Sequence, residues 1–171
     1  WRWTDKFLTY RISKLNDWDP RNSLSYEGVD LSYSRQIKNI ELLATLGRKR
    51  SSGYHQNSDF LRWNGMVKTT IHFSPQKKWT LIANYAVDDH GEFIQWQSQS
   101  NPLTVPEEEL GNHIIYYKKS LLGTFTHVIN HQLAYKVRIN WYRTDWENTF
   151  PDMPDFAKTD RLSTEIQVDS V

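Results

Sequence analysis

The stretch that decides the fold runs Trp63-Asn64-Gly65-Met66-Val67-Lys68-Thr69-Thr70-Ile71-His72-Phe73, turns through Ser74-Pro75-Gln76-Lys77-Lys78, and returns as Trp79-Thr80-Leu81-Ile82-Ala83-Asn84-Tyr85-Ala86-Val87-Asp88. Every second residue of the first run, Trp63, Gly65, Val67, Thr69, Ile71 and Phe73, is apolar or small. The residues between them include Asn64, Lys68, Thr70 and His72. A period of two is the period of a strand, with one greasy and one wet face. The second run repeats it, with Trp79, Leu81, Ala83, Tyr85 and Val87 against Thr80, Asn84 and Asp88. Pro75 sits in the turn, where no ladder hydrogen bond is lost. Two such runs about a short turn predict a hairpin.

Outward from this hairpin the same design recurs. Val29, Leu31 and Tyr33 alternate with Asp30, Ser32 and Ser34; after Lys38-Asn39 come Ile40, Leu42, Ala44 and Leu46. Tyr117, Leu121, Gly123 and Phe125 mark one face of a strand reaching Ile129. Asn130-His131-Gln132 turns it into Leu133, Tyr135, Val137, Ile139 and Trp141, with Lys136, Arg138, Asn140 and Tyr142 opposite. Leu162, Thr164, Ile166 and Val168 alternate with Arg161, Ser163, Glu165 and Gln167 in a last strand, and a further strand is read at Leu8-Thr9-Tyr10-Arg11-Ile12. No amphipathic helix competes. The fold class read from this is all-β, an antiparallel up-and-down meander of seven to eight strands.

The connections carry more information than the strands. Three are tight, at Lys38-Asn39, Ser74 to Lys78 and Asn130 to Gln132. Three are long and polar, Arg48 to Asp59, Asp88 to Asn112 and Thr144 to Asp160, and the two kinds alternate along the chain. An up-and-down sheet therefore gathers its short turns at one end and its long loops at the other, the layout of a transmembrane β-barrel. Soluble sandwiches mix loop lengths and use Greek-key crossings. Trp63, Trp79, Phe73, Tyr33, Tyr85 and Trp141 fall near the ends of the apolar faces, as rings at the two rims of a bilayer do. The opposite face, with Lys68, His72, Asn84, Lys136, Arg138 and Glu165, is too charged for a dry core and suits a wet lumen or a polar plug.

Composition fits this reading. The chain has 171 residues, net charge +1, no cysteine and 8 Trp, 9 Tyr and 7 Phe, with a mean hydropathy of −0.72. Neutral charge gives no electrostatic ground for a nucleic-acid partner. The lack of cysteine excludes disulfides and thiol chemistry. No run approaches the roughly 20 apolar residues of a membrane helix, but barrel strands need none.

These residues resemble the barrel hairpins of TonB-dependent outer-membrane receptors. The resemblance rests on Asp59-Phe60-Leu61-Arg62-Trp63-Asn64 through Ile71-His72-Phe73-Ser74-Pro75, and on Trp79 to Tyr85 with Asp89-His90-Gly91, Trp96 and Asn101-Pro102-Leu103. Thr126-His127-Val128-Ile129-Asn130 and Arg138 to Trp146 extend it. It covers residues 25 to 171 as a style of sequence rather than a strict motif. It implies a bacterial outer-membrane barrel of about 22 strands filled by an N-terminal plug, importing a scarce nutrient with energy from the inner-membrane TonB complex. Residues 1–171 then form part of a single barrel domain, about a third of it, whose partners are outer-membrane lipid, the plug and the remaining strands. A surface lipoprotein over the loops is left open. The plug and a TonB-binding segment are not seen in this sequence. Two other readings stand beside this one: a soluble aromatic-rich β-sandwich that binds carbohydrate, and a passive outer-membrane barrel without a plug.

For chemistry, Asp88-Asp89-His90 with Glu92 reads as a solvated turn at the start of a loop, and Glu107-Glu108-Glu109 as a solvated loop or helix start. No catalytic constellation, metal set or cofactor motif is read, so the chain is expected not to be an enzyme. Two roles are open to the aromatics placed in the long loops, Tyr54, Phe93, Trp96, Trp146, Phe150 and Phe156: ligand contact, since binding residues gather on loops carried by a rigid scaffold, or packing of loop against loop into a closed lid. Lys68, His72, Asn84, Lys136, Arg138 and Glu165 are the lumen-facing candidates. Arg48, Lys49 and Arg50 are expected to reach the outer-leaflet layer.

Overall fold

A computed structural model describes residues 2–3, 25–150 and 154–170; the strand read at Leu8 to Ile12 lies outside them. The described residues form a single antiparallel sheet whose strands lie side by side in chain order. After the two-residue β1 (Arg2–Trp3) come β2 (Tyr26–Ile37), β3 (Ile40–Ser51), β4 (Phe60–Ser74), β5 (Lys77–Gly91), β6 (His113–Asn130), β7 (Leu133–Asn148) and β8 (Phe156–Ser170). The sheet is not closed: β8 pairs with β7 alone, and β2 pairs with β3 and the short β1. A single three-residue 3-10 turn, Glu107–Glu109, interrupts the all-β pattern. No helix among the described residues is long and apolar enough to cross a membrane.

Register sorts the chemistry, because directly opposed residues share a face. One row across the sheet reads Tyr33, Ala44, Val67, Ala83, Leu121, Trp141 and Leu162; the row nearer the short turns reads Ile37, Ile40, Ile71, Trp79, Phe125, Val137 and Ile166. These apolar rows are not covered by another layer. Leu162 is 71% and Ile166 70% exposed, and Val105 is the only buried hydrophobic residue among those described.

On the other face polar side chains predominate and are joined by side-chain bonds, although Leu43, Ile82 and Leu122 share the row of Lys68 and Asn140. Thr70 and Thr80 hydroxyls lie 3.2 Å apart, Asn84 Nδ2 donates to Ser120 Oγ at 2.9 Å, and Arg62 Nε donates to Asp88 at 2.7 Å. Arg138 Nη1 donates to both Glu165 oxygens at 3.1 Å. His72 Nε2 lies 3.0 Å from Glu41.

The short turns sit where the sequence placed them, with two refinements. Bulges between His72 and Ser74 and between Val128 and Asn130 absorb one residue each next to the turns, which is why Phe73 leaves the strict alternation. Around Lys38-Asn39, the Asn39 carbonyl accepts from His72 N–H at 2.9 Å and its side-chain amide donates to the His72 carbonyl at 2.9 Å. The turn therefore extends the β3–β4 ladder by one residue.

The strands are longer than the apolar alternation suggests. β5 runs on to Gly91, β7 to Asn148, and β8 starts at Phe156. Trp146 is therefore a strand residue on the polar face, opposite Tyr116 and Ala157, and Phe156 opens β8 opposite Glu147; both had been expected in a loop. Asp88, Asp89 and His90 are likewise strand residues, not a solvated turn. Ion pairs replace apolar pairing here, with Arg143 2.9 Å from Asp145 on its own strand and 3.8 Å from Asp160 across on β8. Hydrophobicity stops before the ladder does.

Lys38 has φ +53°, a left-handed conformation that costs a residue with a Cβ about 1–2 kcal/mol and glycine almost nothing. Lys38→Gly is expected to stabilise the protein by about 1 kcal/mol, read as a higher midpoint of urea unfolding.

Candidate functional site

The long connections form one knot at the loop end of the sheet. Its centre is Asn57, 2% exposed and at φ +54°, a conformation asparagine tolerates better than most residues. From the loop 52–59 its side chain reaches into the loop 92–112. Nδ2 donates to the Glu92 carbonyl at 3.0 Å and the Glu109 carbonyl at 2.6 Å, while Oδ1 accepts from Gly111 N–H at 3.2 Å. One amide side chain thus satisfies three backbone groups that no ladder serves.

Neighbouring bonds tie the same loops. Gln56 N–H donates to Leu103 O at 2.9 Å, and Val105 N–H, on the one buried aliphatic residue, donates to Gln56 Oε1 at 2.9 Å. Gly91 N–H donates to Asp59 O at 2.9 Å, and Glu92 N–H to Asn112 O at 2.8 Å. Gly91 has to be glycine for a packing reason: a Cβ there would stand 2.7 Å from the Asn57 carbonyl carbon.

A charged trio lies at the root of the knot, beyond the loop-side end of the apolar rows. His113, first residue of β6, donates from Nδ1 to Asp89 Oδ1 of β5 at 2.8 Å, and its Nε2 stands 3.7 Å from Asp59 Oδ2. Its backbone binds the third connection, with Thr149 N–H donating to His113 O at 3.0 Å and His113 N–H to Thr149 Oγ1 at 3.1 Å. The hydrogen bond to Asp89 holds the imidazolium above the ordinary histidine range, against the effect of burial and with help from the Asp59 charge. Burial pushes the Asp59 carboxyl up, a trend that the nearby His113 opposes.

The loop aromatics named from sequence are divided by this arrangement. Tyr54 and Phe93 flank the His55 ring, with centroids 4.4 and 4.2 Å from it. Tyr54, Ile94 and Trp96 stand largely exposed on the knot, and Phe150 is half-buried after β7. Trp146 is away from them on the sheet's polar face. Lys68, His72, Asn84, Lys136, Arg138 and Glu165 also lie on that face, spread along it rather than gathered into one pocket.

Asn57, Asp59, Asp89 and His113 were not singled out by sequence as a working group. Gly53 and Gly111, both at positive φ, are the visible sign that these loops fold tightly. Nothing in the sequence signals that Asn57 would bridge them. Among the described residues no group of three or more His, Asp or Glu side chains, the Asp59–Asp89–His113 trio included, is arranged to hold a metal ion. Compared with described protein families, curated proteins and solved structures, the chain finds no match.

Asn57→Ala removes the side-chain partner of the Gly111 amide and of the Glu92 carbonyl, while the Glu109 carbonyl keeps the Asn112 N–H, and is expected to cost about 1–3 kcal/mol for each group left buried and unpaired. Gly91→Ala forces backbone against backbone, at about 1–3 kcal/mol of overpacking. Both should raise amide exchange and protease cleavage in 52–59 and 92–112 while the middle of β4 to β7 stays protected.

Proposed function

We propose that this chain is part of a bacterial outer-membrane barrel of the TonB-dependent transporter kind, whose loop end captures a scarce nutrient and whose polar face lines the route inward. The observation that carries the proposal is the uncovered apolar face. Seven adjoining strands expose aliphatic and aromatic rows, while the reverse face is polar and hydrogen-bonded. Water would not favour so large a continuous apolar surface; lipid would.

The dimensions agree. On β5 the apolar positions run from Trp79 to Val87. At about 3.3 Å per residue that is about 27 Å along the strand, and about 20 Å along the membrane normal for a tilt near 40°, close to the apolar band of outer-membrane barrels, about 25 Å tall. Trp63 and Arg48, with the guanidinium 5.5 Å from the ring centroid, stand at its loop-side edge, as amphipathic groups at a headgroup layer would. The open edges of β2 and β8 would continue into further strands, because an unpaired strand edge cannot persist in hydrocarbon. The plug, the TonB complex and any lipoprotein over the loops belong to the proposal through the family resemblance.

In this reading the knot presents Tyr54 and Trp96 to a ligand, and Lys68, His72, Asn84, Lys136, Arg138 and Glu165 contact plug or passing ligand. The soluble carbohydrate-binding sandwich is less well supported, since a sandwich buries the apolar faces of two sheets against each other and here a single sheet leaves them exposed.

A charge scan tests the proposal. Val67→Arg and Ile139→Arg are each expected to cost about 2–4 kcal/mol in lipid if they meet the middle of a bilayer, while Lys68→Gln on the opposite face costs little. Equal tolerance on the two faces, or a folded monodisperse protein in detergent-free buffer, would overturn it.

A further inference from the structure

His113 touches all three long connections or their roots, two through its ring and the third through its backbone. Its ring bridges Asp89 on β5 and Asp59 at the end of loop 52–59, its backbone holds Thr149 after β7, and the preceding residue, Asn112, closes the loop 92–112 onto Glu92. The charged groups that bear on it are few. Asp89 is hydrogen-bonded to it and Asp59 lies within ion-pair distance, with Arg50 of β3 acting on Asp59. Glu147, next to the site on β7, accepts a hydrogen bond from Tyr117 at 3.3 Å. Two carboxylates thus converge on one imidazole, and only its cationic form can donate to Asp89 through Nδ1 while presenting positive charge to Asp59 through Nε2.

We propose that His113 is a pH-operated clasp: its imidazolium pins the loops 52–59 and 92–112 to the root of β5, and loss of its proton lets the knot open. A histidine held above its unfolded value contributes stability that is complete below that value, 6.5, and is lost as pH rises through the folded one. Asp59 acts in the same sense. Burial raises its carboxyl above 3.8, so ionised Asp59 weighs against the closed knot at neutral pH, and the charge on His113 offsets it. When His113 becomes neutral, Asp59 loses that countercharge and keeps a backbone hydrogen bond and the weaker influence of Arg50. The surface that carries Tyr54 and Trp96 is then held fast below the ordinary histidine range and loosens as pH rises through the raised His113 titration. The clasp concerns the loops alone and does not depend on what the protein transports.

The test is amide hydrogen exchange of the protein in lipid vesicles from pH 6 to 9, each rate divided by the intrinsic rate at that pH. In the wild type, protection in 52–59 and 92–112 is expected to be lost across the His113 titration, while the middle of β4 to β7 is unchanged. His113→Gln should show low protection with no such pH dependence. Asp89→Asn removes the carboxylate that favours the charged ring and should move the fall to lower pH; this variant keeps the test decisive if His113→Gln folds poorly. Loop protection independent of pH in the wild type, a His113→Gln profile that follows the wild type, or an unmoved midpoint in Asp89→Asn would each overturn the clasp.

Discussion

Everything in this molecule depends on the register of one antiparallel ladder. Side chains alternate with a period of two, so a slip by one residue would turn every apolar side chain to the polar face and every charge to the apolar one. Three tight turns fix the register locally. Polar cross-strand bonds on one face, Asn84 to Ser120 and Arg138 to Glu165 among them, reinforce it. No packed core does this work: the described part of the chain is a single layer. The two faces therefore need two different surroundings, and the apolar one is the more demanding, since its side chains gain nothing from each other that water would not oppose.

The loop end is organised by a different principle. There the hydrophobic pattern has ended, and backbone groups outside the ladder need partners. Asn57 supplies three of them from one buried amide, and His113 with two carboxylates supplies a charged tie. Such sites resist change, because removing one member leaves the others unsatisfied in a half-buried setting. The result is a preformed surface for the aromatics in place of a set of free loops. A rigid surface spends less conformational entropy on any binding.

The hairpin from Trp63 to Asp88, the three turns and the sorting of loops by length could be read from sequence, because alternation and turn chemistry are local signals. Strand ends were harder to see. Asp88 to Gly91 and Thr144 to Asn148 lack the apolar alternation and read as loop, although the cross-strand pairs Arg62–Asp88 and Arg143–Asp160 hold them in the ladder. That moved Trp146 and Phe156 from loop to strand. The knot was hidden for another reason: Asn57 lies far along the chain from Glu109 and Gly111, its hydrogen-bonding partners. A lone asparagine in a polar loop carries no mark of so distant a contact, and His113 was one of six scattered histidines.

The central claim is that the apolar face meets lipid and the polar face does not. Nitroxide labels placed one at a time at positions 64 to 71 of β4, in the protein reconstituted into vesicles, measure this directly through their collision rates with lipid-soluble oxygen and with a water-soluble nickel chelate. The account predicts a two-residue alternation. Labels at Gly65, Val67, Thr69 and Ile71 would favour oxygen, and labels at Asn64, Met66, Lys68 and Thr70 would show the lesser oxygen access. Contact with the nickel chelate at Val67 and Thr69 as high as at Lys68 would contradict it.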